Sequence, residues 1–363
     1  MKIRLLISFI FLTMLNSCEK NETYYFNGEI IYANEFKSEK NLKGTEVFFD
    51  EAYEGQMMVH DSIMLFLSKN PTDYWMHAYN LNTGKLLAKF CKKGEGPDDF
   101  LLCTTFEQFI ENDGDVKLWV NDYIKSSRLI NITQSIVKGD MVCDSVIPMK
   151  WIEHHRFPTV GMFFLDDGDF LAKHQCELSY LNDEEYIPRN YKRYHRNLDN
   201  EQEHYIHYKR PIESEKMEEY YMMYYASCDR IKPDLKKVAM SMQMLPQINI
   251  WDLDTNTLKG YRQKGGMSFF DLGSAPDKYR YYYMKMCVSN QFILAPYVDK
   301  PIREIPETSC VHVFDWDGNP LYKLHLTESI YGIALDDKKW ILYAYDLNDH
   351  IYSYDVSFLN NNL

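Results

Sequence analysis

The eleven histidines are the first side chains to weigh, because imidazole is the group most often used to hold a metal or to move a proton near neutral pH. His204 and His207 stand in an H-x-x-H spacing that would put both rings on one face of a helix. The segment around them is polar, however, and brings no Glu or Cys at zinc-ligand spacing. His154 and His155 are adjacent, so on a strand they face opposite ways. His174 and Cys176 would share a strand face and supply two ligands at best. The turns Asp166-Asp167-Gly168-Asp169 and Asp315-Trp316-Asp317-Gly318-Asn319 offer oxygen ligands. A full calcium loop also needs a Glu six residues beyond its glycine, and neither turn has one. Hairpin chemistry accounts for both, with Asp317 and Gly318 as turn residues. Gly94-Glu95-Gly96-Pro97 lacks the spacing and the Lys-Ser/Thr of a phosphate loop. Gly94 and Gly96 instead suggest positive φ, with Pro97 fixing the φ that follows. There is no G-x-S-x-G elbow, and 53 acidic residues pair by accident too often to nominate a catalytic couple. No catalytic residue, metal ligand or cofactor site is predicted. Trp75, Trp119, Trp151, Trp251, Trp316 and Trp340 have the rings to stack on sugars, but their even spread reads as packing.

A more specific chemistry lies at the N-terminus. Lys2 and Arg4 form a short basic region ahead of LLISFIFLTML, an apolar run from Leu5 to Leu15. A membrane-spanning helix takes about 20 residues, so the run is too short to cross a bilayer. Leu15-Asn16-Ser17-Cys18 follows and resembles the bacterial lipobox, with Asn16 an uncommon residue at its place. The resemblance implies cleavage between Ser17 and Cys18, diacylglycerol on the Cys18 thiol and an acyl chain on the new amine. Several chains anchor durably where one would be marginal. A lipid bilayer is then the first partner. The location is the cell envelope, outer membrane in preference to inner, with periplasmic and surface faces both open. Losing residues 1–17 removes two basic residues and no acid, which moves the formal net charge from -13 to -15. Glu19 to Thr23 read as a polar tether. Seven cysteines remain, an odd number without C-x-x-C spacing, and they read as small core hydrophobes, a single bridge being the alternative.

The elements that would position such groups are strands. The chain holds 29 Tyr, 20 Phe and 6 Trp, and 15% aromatic content excludes a disordered polymer. A mean hydropathy of -0.44 excludes a polytopic membrane protein. The acidic balance repels phosphate backbones, so nucleic acid is not an expected partner. Short β-type runs recur between turn signals: IMLFL and YWMHAYN, a turn at Asn82 to Lys85, then LLAKF; next VKLWV and SRLINI; then GMFFL and FLAKH. KKVAMSM, INIWDL and LKGYR make a fourth unit, QFILAPYV, CVHVFDW and LYKLHL a fifth, and YGIALDD, WILYAYD and HIYSYDV a sixth. Meanders at this period signal a propeller. The strands FNGEIIYA and TEVFFD are expected to join the last blade and close the ring. Leu181 to Tyr225 is irregular, and EKMEEYYMMYY within it has a helical pattern.

Gly94-Glu95-Gly96-Pro97-Asp98-Asp99-Phe100, after the strand LLAKF, resembles the G-x-G-P-x-E-F phrase of the TolB-like six-bladed β-propeller lipoproteins common in Bacteroides and relatives. Asp99 stands where that phrase usually has Glu. Phe314 to Pro320 is similar to the family's late-blade F-D-x-x-G-x-P turn. The expected fold is all-β: a signal peptide at 1–17, a tether and first strands at 18–44, and a single six-bladed propeller of antiparallel meanders at 45–363. The expected function is that of an anchored, non-enzymatic binding or scaffold module for a peptide, a glycan or an envelope protein. The alternative is a hydrolase or lyase at the central channel, which convergence of three or more His, Asp or Glu side chains there would favour. Cys18→Ala is expected to release the protein from the membrane fraction into the soluble fraction; retention of the variant in membranes would refute lipidation.

Overall fold

Runs such as Ile63 to Leu67 and Val238 to Met242 are apolar on both faces because each blade is covered by a neighbour on either side. The computed structural model describes residues 25–362 except 34, 51–54, 123, 149–158, 175–189, 196–200, 210–222, 224 and 275–277. Cys18, Ser17, Trp151, His154, His155, Cys176 and most of EKMEEYYMMYY therefore lie outside the described residues.

Three short strands come first: β1 (Glu29–Tyr32), β2 (Ser38–Leu42) and β3 (Thr45–Val47). Blade 1 is β4 (Gly55–His60), β5 (Ile63–Ser68), β6 (Tyr74–Asn80) and β7 (Leu86–Lys92). Blade 2 is β8 (Phe109–Asn112), β9 (Asp115–Asp122), β10 (Ser126–Asn131) and β11 (Cys143–Pro148). Helix α1 (Ile132–Lys138) interrupts it, capped by the Asn131 side chain and closed by Gly139 at φ +67°. Blade 3 is β12 (Thr159–Phe164), β13 (Phe170–His174), β14 (Tyr191–Tyr194) and β15 (Glu201–Tyr205). Blade 4 is β16 (Ser227–Ile231), β17 (Lys237–Met242), β18 (Gln247–Asp252) and β19 (Thr257–Arg262), followed by α2 (Phe269–Ser274). Blade 5 is β20 (Arg280–Tyr283), β21 (Cys287–Val288), β22 (Phe292–Pro301), β23 (Thr308–Asp315) and β24 (Pro320–Ile330). Blade 6 is β25 (Gly332–Asp336), β26 (Ile341–Tyr345) and β27 (Ile351–Asp355), completed from the other end of the chain by β3.

The TEV strand closes the ring as the sequence predicts, but EIIY does not join it. β1 runs parallel to β19 on blade 4, and β2 parallel to β24 on blade 5. Burial explains the placement of β1, since Ile30 and Ile31 pack against the apolar core shared by blades 4 and 5. Upstream, Phe26 bridges Tyr208, so residues 25–47 form a belt along the outer edges of three consecutive blades. β19 and β24 are thereby no longer edge strands, and the short β1 and β2 stand at the rim in their place.

The apolar interior is divided into wedges, one at each blade interface. Tryptophans serve these wedges as their spread implied. Trp119 of blade 2 stacks on Phe164 of blade 3 at 3.6 Å, and Trp251 of blade 4 sits against Tyr191 and Tyr205 of blade 3. A polar tie also crosses the interface between blades 3 and 4. Lys173 donates to Asp229 at 2.8 Å and to the Ser227 hydroxyl at 2.7 Å, and the Tyr191 hydroxyl donates to the same carboxylate at 2.6 Å. Burial works against the Asp229 charge, but the Lys173 ammonium outweighs it and holds the carboxyl low. Lys173→Met or Asp229→Asn strands the partner in the interior. Each is expected to lower the unfolding free energy by about 3–5 kcal/mol in urea titration, with the double variant losing less than the sum of the singles. Near-additive losses would show that the two charges are not coupled.

Candidate functional site

The first strand of each blade leads to a hairpin, and these hairpins surround one mouth of the central channel. A cavity of about 640 Å³ opens there, with lining residues from all six blades. Blade 1 supplies Val59 and His60, blade 2 Phe109 to Glu111, and blade 3 Asp166. Blade 4 adds Asp234 and Leu235, blade 5 Val288 and Gln291, and blade 6 Leu335, Asp337, Lys338 and Trp340. Turn residues meet here because β4, β8, β16, β21 and β25 all end at this level.

The cavity has a polar floor. The Arg230 guanidinium donates through Nε to Glu107 at 3.0 Å and through a second nitrogen to the other carboxylate oxygen, and the Gln56 amide donates to Glu107 as well. Blades 1, 2 and 4 are thereby tied across the channel axis. Arg230 and Glu107 are both largely buried, so this is a charge-assisted, bidentate pair of the stronger kind. Burial pushes the Lys285 ammonium down while the Glu107 carboxylate counteracts it.

At the rim, Glu111 accepts from Lys338 and from His60 Nε2 at 2.9 Å, which joins blades 2, 6 and 1. Those two hydrogen bonds, Lys338 first, hold the Glu111 carboxyl below its usual range. The His60 ring stacks on Phe109 with centroids 4.8 Å apart. Asp337 behaves oppositely: burial pushes its carboxyl up, and Asp336 beside it adds to the effect. Burial also opposes the Asp234 charge, yet the Lys232 ammonium prevails and lowers it. The mouth therefore carries more acid than base, and two carboxyl groups in one cavity are driven in opposite directions. Among the described residues no group of three or more His, Cys, Asp or Glu side chains is arranged to hold a metal ion.

The residues singled out from the sequence lie elsewhere. His204 is exposed on β15, whereas His207, just beyond it, is buried with neither ring nitrogen hydrogen-bonded; they share no helix face. The acidic turn of blade 3 is internally satisfied, with Asp169 taking Arg193 at 2.9 Å and His195 at 2.8 Å. Asp315 organises its turn by accepting from the backbone of Asp317 and Asn319, while Asp317 projects outward towards Lys237. Gly318 has φ +81°, and a Cβ there would lie 2.1 Å from the Tyr261 ring.

Gly94 and Gly96 need correction, because neither has positive φ. A Cβ at either would meet the Asp99 carboxylate, at 2.3 and 2.7 Å, so a side chain there would push Asp99 out of its place in the turn. The Asp99 carboxylate accepts from the Gly96 amide at 3.0 Å, in a turn with Pro97 at its second position. Lys125 of blade 2 donates to the carbonyls of Gly94, Gly96 and Asp99, and Arg128 to those of Pro97 and Asp98. The phrase is a clamp between blades 1 and 2.

A profile described as TolB-like 6-blade propeller-like matches residues 32–338. The chain belongs to the TolB-like six-bladed propeller family. Its fold is shared with a Bacteroides fragilis protein whose name calls it exported, at 11% identity and TM-score 0.51, over 90% of this chain and 98% of that one. It is shared too with a member of the duf4221 family from Bacteroides vulgatus, at 10% identity and TM-score 0.53, over 88% and 97% of the two chains. No curated protein matches the sequence. The TolB-like phrases at Gly94 to Phe100 and Phe314 to Pro320 thus mark the fold, and the mouth lies apart from both.

His207 and His312 give the family member an acid sensitivity. Burial, and then the Lys173 ammonium, push His207 down to about 3. Burial and Lys323 do the same to His312, which stacks on Tyr297 at 4.3 Å. Unfolded, each ring takes its proton near pH 6.5; folded, neither does until about pH 3. Stability is therefore full above pH 6.5 and falls with pH by about 1.4 kcal/mol per unit for each ring. Urea midpoints measured between pH 7.5 and 5 should fall steeply, and His207→Leu should flatten the slope. An unchanged slope in that variant would show that His207 is not buried neutral.

Proposed function

We propose that this propeller is an exported, membrane-anchored binding module whose ligand enters the hairpin-side mouth of the channel. One observation carries the reading: a floored cavity of about 640 Å³ to which all six blades contribute. Its size falls within the range of small-ligand sites. One or two sugar or amino-acid units fit that space, which favours a glycan or a peptide end over a flat protein face. Trp340 and Phe109 offer rings for stacking, and Asp337, Glu111 and Asp234 offer acceptors for hydroxyl or ammonium groups. Export is supported by the lipobox-like Leu15 to Cys18 and by likeness in fold to an exported Bacteroides protein. Acylated Cys18 would hold the chain to the envelope, outer membrane in preference to inner.

A second reading has its own support. His60, Glu111, Asp234 and Asp337 converge on the mouth, and a carboxyl pushed up beside one held down is the pattern of an acid and base pair. Binding is preferred because Glu111 is already engaged by two basic side chains. The full chain, in membranes, would be screened against glycan and peptide arrays. Asp337→Asn and Glu111→Gln are expected to weaken any hit by about tenfold or more, as does loss of one hydrogen bond to a charged group, with Tm changed by little. Wild-type affinity in both variants would place the ligand elsewhere. Turnover of a captured glycan or peptide, abolished by Asp337→Asn, would replace the binding reading with the enzymatic one.

A further inference from the structure

The junction between blades 1 and 2 holds a pair of thiols that no feature of the channel uses. Cys91 sits in β7, one residue from its end, and Cys103 follows the clamp phrase. Both belong to the apolar wedge between the two blades, Cys91 fully buried and Cys103 at 9% exposure. The two thiols share this wedge and lie near enough to interact electrostatically. The backbone brings them there. The Phe100 amide donates to the Lys92 carbonyl at 2.8 Å and the Gly94 amide to the Phe100 carbonyl at 3.2 Å, so the chain from 92 to 100 doubles back on itself. Cys91 has φ +59°, a left-handed conformation unusual outside glycine, which is held by this doubling back. A third cysteine, Cys143, is near enough to interact with Cys91, but its thiol is engaged by the carbonyl of Ser145 at 3.1 Å.

We propose that Cys91 and Cys103 form a disulfide when the chain folds in the presence of a disulfide oxidant, closing a loop around Gly94 to Phe100. The chemistry is two successive exchanges. One cysteine thiolate attacks a sulfur of the oxidant's disulfide, forms a mixed disulfide and expels one oxidant thiolate. The second cysteine thiolate then attacks the protein sulfur of that mixed disulfide, forms the Cys91–Cys103 bond and expels the other thiolate. The two cysteines lose two protons and two electrons, and the oxidant is reduced to two thiols. Burial raises the Cys103 thiol well above its ordinary range, so exchange is slow once the disc has formed and belongs to folding. An exported chain meets oxidants of this kind while it folds, whereas a chain retained in a reducing compartment does not. The bond adds a covalent tie to a junction otherwise held by the apolar wedge and by the hydrogen bonds of Lys125 and Arg128.

The test is to denature and reduce the full chain and refold it in detergent with oxidised and reduced glutathione. Remaining thiols are then alkylated under denaturing, non-reducing conditions, and the peptides are mapped by mass spectrometry. The expected result is a Cys91–Cys103 linked peptide pair that disappears on reduction, with Cys143 alkylated. In the wild type, Tm should fall by roughly 5 °C on adding reductant, the order expected for a loop of this length. A Cys91→Ala/Cys103→Ala variant should show no response to reductant. Alkylation of both thiols in the folded wild-type product, or linkage of either to Cys143, would overturn the proposal. Mapping the same peptides from the cell envelope separates this question from export. A bond formed in the glutathione buffer but missing in the cell supports the pairing and counts against the exported location.

Discussion

The structure depends on a seam three residues long. A disc of six wedges holds only if the sixth packs on the first, and blade 6 is completed by Thr45 to Val47 pairing with Ile351 to Ser353. The Ser353 hydroxyl adds a hydrogen bond to the Thr45 carbonyl at 3.2 Å. Behind the seam, Met57, Phe66 and Tyr79 of blade 1 meet Ala334, Tyr343 and Tyr345 of blade 6. These pairings join opposite ends of the chain, so they carry a high loop-closure cost and gain little until the intervening blades exist. Hydrogen bonds across so short a strand stabilise weakly by themselves. The apolar wedge on either side of blade 6 is what makes the closed ring the favoured state.

Closure also produces the mouth. Glu111, His60 and Lys338 come from blades 2, 1 and 6, and no single blade brings any two of them together. The Glu107–Arg230 floor likewise needs blades 2 and 4, which are not neighbours, brought together around the channel. Asp337 is pushed up by burial that exists only when the turns around it are in place. The electrostatics of the site are thus a property of the ring, and a local opening of any blade would relax them before the blade's own strands separated.

Much of the architecture was legible in the sequence because strand hydrogen bonding and turn chemistry are local. The runs IMLFL, VAMSM and GIALD with their flanking turns located the central strands, and the turn read at Asp317 to Pro320 falls on the hairpin between Asp315 and Pro320, with Pro320 already in the returning strand. The shortest inner strands were not legible. Cys287–Val288 is two residues long, and SCDRI has one polar side chain in the channel wall and another in an ion pair. β1 was read as a strand but given the wrong partner, and β2 was not read at all: both extend finished blades in parallel, and no turn signal announces partners as distant as Lys259 from Glu29 or Tyr322 from Ser38. The glycines of the clamp were identified as special, but the cause, crowding by a carboxylate three to five residues on, is a tertiary fact. The mouth was hidden because its members occupy equivalent turns of separate blades. Aligning the blades by their first hairpins would have placed His60, Asp234 and Asp337 at one level.

The belt from Tyr25 to Val47 has a mechanical meaning. Tension applied to the chain ahead of it would reach the bridge at Phe26 first, then the parallel pairing of β1, then that of β2, and only afterwards the seam. The attachments are loaded one after another along the rim, as the clips of a cable are. A pull on the chain ahead of Tyr25 is spent on strands that merely edge blades 4 and 5, and the strand that completes blade 6 is the last to feel it.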